Sequence, residues 1–325
     1  KVYTLTDWRN EDSTAGSATE GAHGKSSTSS AFLQDEITLS DTFTVYFGGR
    51  YDRWETEGDN FKIGTGAYEN TFKKRTDSAF SPKLSLVYLP SDEVTLRGSV
   101  GKSFRAPDNY ELYGTLYCCG KYYQSSPDLK PETATTYEIG GEWRPTFDTK
   151  TVLSLYQTTL KDMIYTKSID ATHTEKANAG EAQVRGIELS MSSNLTSWLN
   201  IDMAYSYIKS KILKNDADPS TVGNQMAQTP MHMWSGALAS KYGNWSGLIE
   251  TKYSDKVYSS ESNTEKTEGV FGSYDSYWMT NAKVDYQINK GVKASLSVNN
   301  LTDEKIYQYY VLPGRNVTAE LVLTF

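Results

Sequence analysis

Apolar and polar residues alternate along most of this chain with a period of two. In "YEIGGEWR", Tyr137, Ile139, Gly141 and Trp143 fall on one face, and Glu138, Glu142 and Arg144 on the other. The same alternation sets Leu199, Ile201, Met203, Tyr205 and Tyr207 against Asp202, Ala204 and Ser206. It sets Trp278, Ala282, Val284, Tyr286 and Ile288 against Asn281, Lys283, Asp285 and Gln287. Val292, Ala294, Leu296 and Val298 likewise oppose Lys293, Ser295 and Ser297, and the chain finishes with Val317, Ala319, Leu321, Leu323 and Phe325 on one face. Side chains of a strand point alternately to opposite faces, whereas a helix repeats every 3.6 residues. The pattern therefore predicts strands and almost no helix. Many of the strands reach the roughly 9–11 residues that a tilted strand needs to cross a bilayer, well above the usual strand length of about 5–6.

About fourteen strands are predicted, near 1–9, 27–39, 42–55, 77–89, 93–104, 133–144, 150–165, 180–194, 199–211, 230–242, 245–256, 274–288, 292–308 and 316–325. Their connections alternate in length. Short turns fall at 39–41, 89–93, 144–149, 195–198, 242–244 and 289–291. Long polar stretches fall at 10–26, 56–76, 105–132, 166–178, 212–228 and 257–273, with a brief connection near 311–316. The segment 10–30, rich in Ser, Thr and Gly, reads as a mobile loop. Short turns at one end and long loops at the other are the pattern of an antiparallel transmembrane β-barrel, apolar outside and polar inside. Only a closed barrel or a helix satisfies its backbone hydrogen bonds within lipid. Neither a linker nor a second domain interrupts residues 1–325.

Composition refines this picture. Net charge is −7, and no run of eighteen apolar residues offers a transmembrane helix. The 24 Tyr, 7 Trp and 10 Phe in an otherwise hydrophilic chain suit boundaries between apolar and wet surroundings. The two cysteines are adjacent, Cys118 and Cys119, and cannot staple distant parts of a fold. They read as an exposed loop pair, with neither the spacing nor the neighbouring His of a metal site. The opening "KVYTLTDWRN" reads as strand.

Several stretches, in order, carry a family resemblance. "GKSFRAPDNYELYG" (101–114) followed by "SSPDLKPETATTYEIGGEWR" (125–144) resembles the second half of TonB-dependent outer-membrane receptors. "FLQDEITLSDTFTVYFGGRYDRW" (32–54) and "FSPKLSLVYLPSDEVTLRGSVGKSFRAP" (80–107) resemble the same family, as do "NAGEAQVRGIELSMSSNLTSWLNIDMAYSYIKS" (178–210) and the closing "VNNLTDEKIYQYYVLPGRNVTAELVLTF" (298–325). The resemblance implies an up-and-down barrel of about 22 strands with a plugged lumen. The fourteen strands here are then its C-terminal portion, and the plug, the TonB box and about eight strands lie outside this chain. It further implies a bacterial outer-membrane receptor that binds a scarce ligand, most readily a ferric siderophore or other metal chelate, and imports it with TonB-derived energy. The partners it implies are outer-membrane lipids, the TonB complex reached through the plug region, and the barrel assembly machinery, for which the terminal Phe325 resembles the recognition signal. Two transport alternatives stand beside this reading: a passive fourteen-stranded porin, and a haem or cobalamin receptor. A surface adhesin, acting through its loops, is a third.

No catalytic constellation is expected. The chain has no GxSxG, Walker or HExxH motif, and His23, His173 and His232 are scattered. No cofactor or resident metal is expected, and neither is nucleic-acid binding, given the negative charge and the lack of basic patches. Candidate ligand contacts cluster in the loop 105–132: Arg105, Tyr110, Tyr113, Tyr117, Lys121, Tyr122 and Tyr123, with His173 in a later loop. Tyrosines offer contact area at low entropic cost, and cations pair with the carboxylates or catecholates of a chelate. The same tyrosines also suit an interfacial aromatic girdle. Haem receptors that resemble this family carry FRAP, then a His, then NPNL. Here FRAP (104–107) is followed by "SPDL" (126–129) with no intervening His. Arg50, Asp52, Arg185 and Glu188 are expected to point into the lumen.

Overall fold

The computed structural model describes residues 2–9, 14–64, 66–118, 120–265 and 267–324. In chain order the strands are β1 (Val2–Arg9), β2 (Thr14–Ser40), β3 (Phe43–Lys62), β4 (Tyr68–Ser91), β5 (Val94–Arg105), β6 (Leu116–Cys118), β7 (Lys121–Gln124), β8 (Glu132–Thr146) and β9 (Thr149–Ser168). They continue with β10 (His173–Thr196), β11 (Leu199–Asn215), β12 (His232–Tyr242), β13 (Trp245–Ser254), β14 (Tyr277–Asn289), β15 (Val292–Asn299), β16 (Tyr307–Gln308), β17 (Tyr310–Val311) and β18 (Asn316–Leu323). One short helix, α1 (Asn109–Tyr113), precedes β6.

Fourteen of these strands form the predicted wall, in the order β1-β2-β3-β4-β5-β8-β9-β10-β11-β12-β13-β14-β15-β18. Each is antiparallel to its neighbours. The predicted tight turns are present and lie at one end, with two residues apiece at Asp41 and Thr42, Asp92 and Glu93, Phe147 and Asp148, Ser197 and Trp198, Gly243 and Asn244, and Lys290 and Gly291. Among the described residues β1 pairs along its whole length with the first part of β2, Val2 opposite His23 and Arg9 opposite Thr14, and β1 and β18 do not pair with each other. Phe325 lies outside the described residues, while Val317, Ala319, Leu321 and Leu323 pair with Val298, Leu296, Ala294 and Val292 on one face.

Of the polar stretches 10–26 and 56–76, residues 14–26, 56–62 and 68–76 are strand and not loop. β2 is strand from Thr14, and β3 and β4 continue to Lys62 and Tyr68, so the segment 14–30 is ladder and not a mobile loop. Residues 10–13 lie outside the described residues. The long loop expected at 166–178 shrinks to residues 169–172. Polarity here reflects strands with water on their faces, whose backbone groups remain paired. Cross-strand charges add to the ladder, with His23 Nδ1 at 2.7 Å from Asp59 and Lys25 Nζ at 3.7 Å from Glu57.

The register settles which face each residue takes. On the outside, Phe47 stands opposite Leu84, Leu155 opposite both Ile139 and Ile187, and Leu296 opposite Ala319. Aromatic bands bound this apolar surface. Near the short turns Trp245 packs on Tyr286 at 4.5 Å and Phe43 on Tyr88 at 6.3 Å. Toward the other end Trp278 packs on Trp234 and Tyr253, at 5.4 and 5.0 Å, and His232 on Tyr207 at 5.1 Å. Trp245 and Tyr253 are eight residues apart on β13. At roughly 3.3 Å per residue and a tilt of about 40°, they are separated by about 20 Å along the membrane normal, close to the apolar band of outer-membrane barrels.

The inner face is polar. Glu142 accepts from Arg144 at 2.6 Å and meets Lys150 at 3.1 Å and Arg97 at 3.4 Å, and Asn281 donates to Glu250 at 2.9 Å. Arg50 clamps the buried Asp52 through Nε and Nη2. Glu188 stands opposite Ser154 on this side. Arg185 corrects the expectation. It shares its face with Ile187 and Leu189 and therefore points out of the barrel, donating to Gln157 at 2.8 Å. The alternation that places Glu188 inside necessarily places Arg185, three residues earlier, outside.

Candidate ligand-binding site at the long-loop end

The segment 105–132 folds into a compact cap over the upper inner face of β2 and β3. Its helix begins with a capping box: the Glu111 amide donates to Asp108 at 2.8 Å, and the Asp108 amide donates to Glu111 at 2.9 Å. Leu112, Tyr113 and Leu129 form its small core, packed on Phe72 and Ile164. Tyr113 stacks on Phe72 at 5.3 Å. Gly58 allows this approach, because a Cβ there would lie 2.5 Å from the Tyr113 ring. Asn60, fully buried on β3, donates to the Tyr113 carbonyl at 2.9 Å. Trp54, lower on the same face, is buried against Phe104 at 5.1 Å, above the level where β4 and β5 cease to pair.

Arg105 ties the two ends of the cap together. Its Nε donates to Glu132 at 2.6 Å, and Nη1 and Nη2 donate to Glu111 at 2.9 and 3.0 Å. Glu132 also accepts from the Ile164 amide at 2.7 Å. The hydrogen bonds to Glu132 and then Glu111 raise the guanidinium's proton affinity above its already high ordinary value. Burial works to raise the Glu132 carboxyl, but the Arg105 and Ile164 donors outweigh it and hold the group below the ordinary carboxylate range.

The "SPDL" stretch acts as a staple. The Ser126 amide donates to the Leu112 carbonyl at 3.0 Å, and its hydroxyl accepts from the Lys176 amide at 3.0 Å. Arg75 donates to the Pro127 carbonyl at 2.9 Å, and Asn178 exchanges hydrogen bonds with both backbone groups of Lys130.

The hairpin β6–β7 joins the wall edge-on. β7 pairs in parallel with β10, placing Tyr122 opposite His173 with ring centroids 6.0 Å apart. The Tyr68, Thr115 and Tyr122 hydroxyls converge on the buried carboxylate of Glu20, at 3.4, 3.0 and 3.3 Å. Burial first, and then Tyr68, push the Tyr122 phenol well above its ordinary range, so it stays protonated. Asp170 closes the neighbouring turn by accepting from the amides of Thr172 and His173 at 2.7 and 2.8 Å.

These contacts sort the expected ligand residues. Tyr113 is only 2% exposed and packs the core. Arg105 and Tyr122 hold the cap together, and His173 is engaged by Asp170 at 2.9 Å. Tyr117, 60% exposed, stands out toward solvent with Lys121, while Tyr110 is partly exposed and Tyr123 half-buried. Cys118 ends β6, Gly120 turns the hairpin with φ of 79°, and Cys119 lies outside the described residues. His232 belongs to the outer aromatic band, where its Nδ1 lies 2.8 Å from the Tyr205 hydroxyl. Glu20, Tyr68, Arg75 and Asn178 were not foreseen. Each is distant in sequence from the cap it holds, and no local pattern marks it. Among the described residues no group of three or more His, Cys, Asp or Glu side chains could hold a metal ion.

Comparison with known proteins agrees with this architecture. The family described as TonB dependent receptor-like, beta-barrel, matches residues 2–301. A probable TonB-dependent receptor of Bordetella pertussis, BfrD, is 26% identical over 308 residues, covering 90% of this chain and 40% of that protein. A hemin receptor of Yersinia pestis is 28% identical over 333 residues, covering 96% of this chain and 46% of that protein. Among solved structures, the ferric-catecholate import receptor Fiu of E. coli K12 superposes with a TM-score of 0.73 at 20% identity, over 95% of this chain and 47% of that one. The chain thus spans less than half the length of these relatives. A fourteen-stranded antiparallel wall, banded by aromatics outside and lined by charges inside, belongs to the TonB-dependent receptor β-barrel family of the outer membrane.

Proposed function

We propose that this chain is the C-terminal barrel portion of a receptor that captures a ferric siderophore at its long-loop end and imports it with TonB-derived energy. The observation that carries this reading is the cap 105–132, a rigid support that presents Tyr117 and Lys121 at the surface. The register puts Tyr117 on one face of the β6–β7 hairpin and Lys121 on the other. An exposed aromatic and an exposed cation each suit an anionic, aryl-rich metal chelate, since little entropy is lost on binding to a rigid support. The likeness to Fiu, a ferric-catecholate import receptor, supports the same chemistry. Tyr110, Tyr123 and His173 are further ligand contacts on this reading, whereas Arg105, Tyr113 and Tyr122 contribute by holding the cap. On this reading the fourteen strands are part of a larger barrel whose plug couples to TonB, and Phe325 serves assembly.

Uptake of radioiron by cells expressing the full-length receptor tests the proposal. Iron delivered as a catecholate chelate is expected to accumulate, and to stop accumulating when TonB is deleted or the proton gradient collapsed. Uptake that survives both treatments, with channel conductance in planar bilayers, would establish a passive pore instead.

A further inference from the structure

Arg185 on the lipid-facing surface calls for a counter-charge. The register aligns outward residues of β8, β9, β10 and β11 into rows. One row is Tyr137, Gln157, Arg185 and Lys209. The row toward the short turns is Ile139, Leu155, Ile187 and Tyr207, and the next is Gly141, Leu153, Leu189 and Tyr205. The row toward the long loops is Thr135, Thr159, Gln183 and Lys211. These four rows hold three cations and no carboxylate. Arg185 and Lys209 are exposed, and neither has an acidic partner among the described residues. A groove of about 550 Å³ runs across the first two rows, with Arg185 and Lys209 at one end and Ile139, Leu155 and Ile187 at the other.

The level of this groove is informative. Tyr207 stands opposite His232, and Tyr205 opposite Trp234, so the second and third rows continue the outer aromatic band. Arg185 and Lys209 lie one row farther toward the long loops, at the depth of the outer-leaflet headgroups. A cation on the lipid face costs least there, and a cation that meets an anionic headgroup is stabilised. Two adjacent cations match the charge of a phosphate monoester, and Gln157 and Tyr137 add polar groups in the same row.

We propose that Arg185 and Lys209 bind the phosphate monoester of an outer-leaflet lipid, whose acyl chain lies along Ile139, Leu155 and Ile187. The site faces lipid and is separate from the cap. It depends on the barrel's place in the membrane and not on which ligand is transported.

Native mass spectrometry of the full-length receptor in detergent tests this, with separate titrations of lipid A, phosphatidylethanolamine and inorganic phosphate. Lipid A is expected to be retained in preference to phosphatidylethanolamine. The double variant R185Q/K209Q is expected to bind it about 25-fold more weakly, at roughly fivefold per basic residue. R185K/K209R, which keeps both charges, and K252Q, on the luminal face, are expected to bind as the wild type does. Heat-dependent electrophoretic migration reads barrel assembly independently for each variant. Equal lipid A binding by R185Q/K209Q would overturn the site. Equal retention of phosphatidylethanolamine would overturn the monoester, and displacement of lipid A by inorganic phosphate would overturn the lipid as source.

Discussion

Arg105 Nε donates to Glu132 Oε2 at 2.6 Å, joining the last residue of β5 to the first of β8 across a 26-residue excursion (106–131). The same guanidinium reaches Glu111, so one side chain fixes both ends of the cap and its helix. Arg105→Ala should free both carboxylates. Because the Arg105 side chain is 47% exposed, solvent screening limits the loss to about 1–2 kcal/mol. Proteolytic cleavage within 105–132 should then accelerate roughly tenfold, with barrel migration unchanged. Cleavage at the wild-type rate would show that the core, not the clasp, holds the cap.

Tyr113 and Tyr117 are four residues apart and should behave oppositely. Tyr113→Ala removes a buried ring from the cap core and should cost about 3–5 kcal/mol of local stability. Tyr117→Ala should leave proteolytic protection intact while weakening chelate binding several-fold. Fluorescence quenching titrations and limited proteolysis on both variants separate the two roles. Equal loss of protection in both variants would remove the distinction.

Gly58 occupies a place where a side chain has no room. A Cβ would lie 2.5 Å from the Tyr113 ring and 2.7 Å from the His23 carbonyl oxygen, which belongs to backbone and cannot yield. Gly58→Ala is expected to displace α1 and destabilise the cap by about 1–3 kcal/mol. Hydrogen exchange at the α1 amides should rise, whereas exchange in β12 to β15 should not.

The turn closed by Asp170 should withstand mild acid. Hydrogen bonds from Thr172 first, and then His173, lower the Asp170 carboxyl below its ordinary value. A lowered acid contributes stability that is present above its unfolded pKa, about 3.9, and that is lost only as pH falls through the lower folded value. Exchange protection at the Thr172 and His173 amides should therefore persist from pH 5 to pH 4 and fall only below that. Loss of protection between pH 5 and 4 would contradict the assignment, and Asp170→Asn should flatten the pH response.

The strand number, the tight turns and the outward faces of β14, β15 and β18 were legible because a strand's alternation records its two environments residue by residue. The extent of β2, β3 and β4 was not. Where both faces meet water, as at His23, Lys25, Glu57 and Asp59, alternation vanishes although the ladder continues. The facing of Arg185 was readable from its spacing to Ile187 and Leu189, but its charge argued for the lumen.

The sequence by itself determined a wall of alternating strands and its two ends, since these rest on local periodicity and turn chemistry. It pointed to the family through stretches such as 101–114 and 125–144 that resemble TonB-dependent receptors. Only the tertiary structure decided which loop residues serve as support and which as surface. Tyr113 and Tyr117 are the same residue type in one short stretch, and burial against Phe72 on β4 separates them. Likewise the carboxylate that gathers Tyr68, Thr115 and Tyr122 comes from Glu20, nearly a hundred residues before Thr115. Long-range pairing brings such groups together, and it leaves no local mark on the chain.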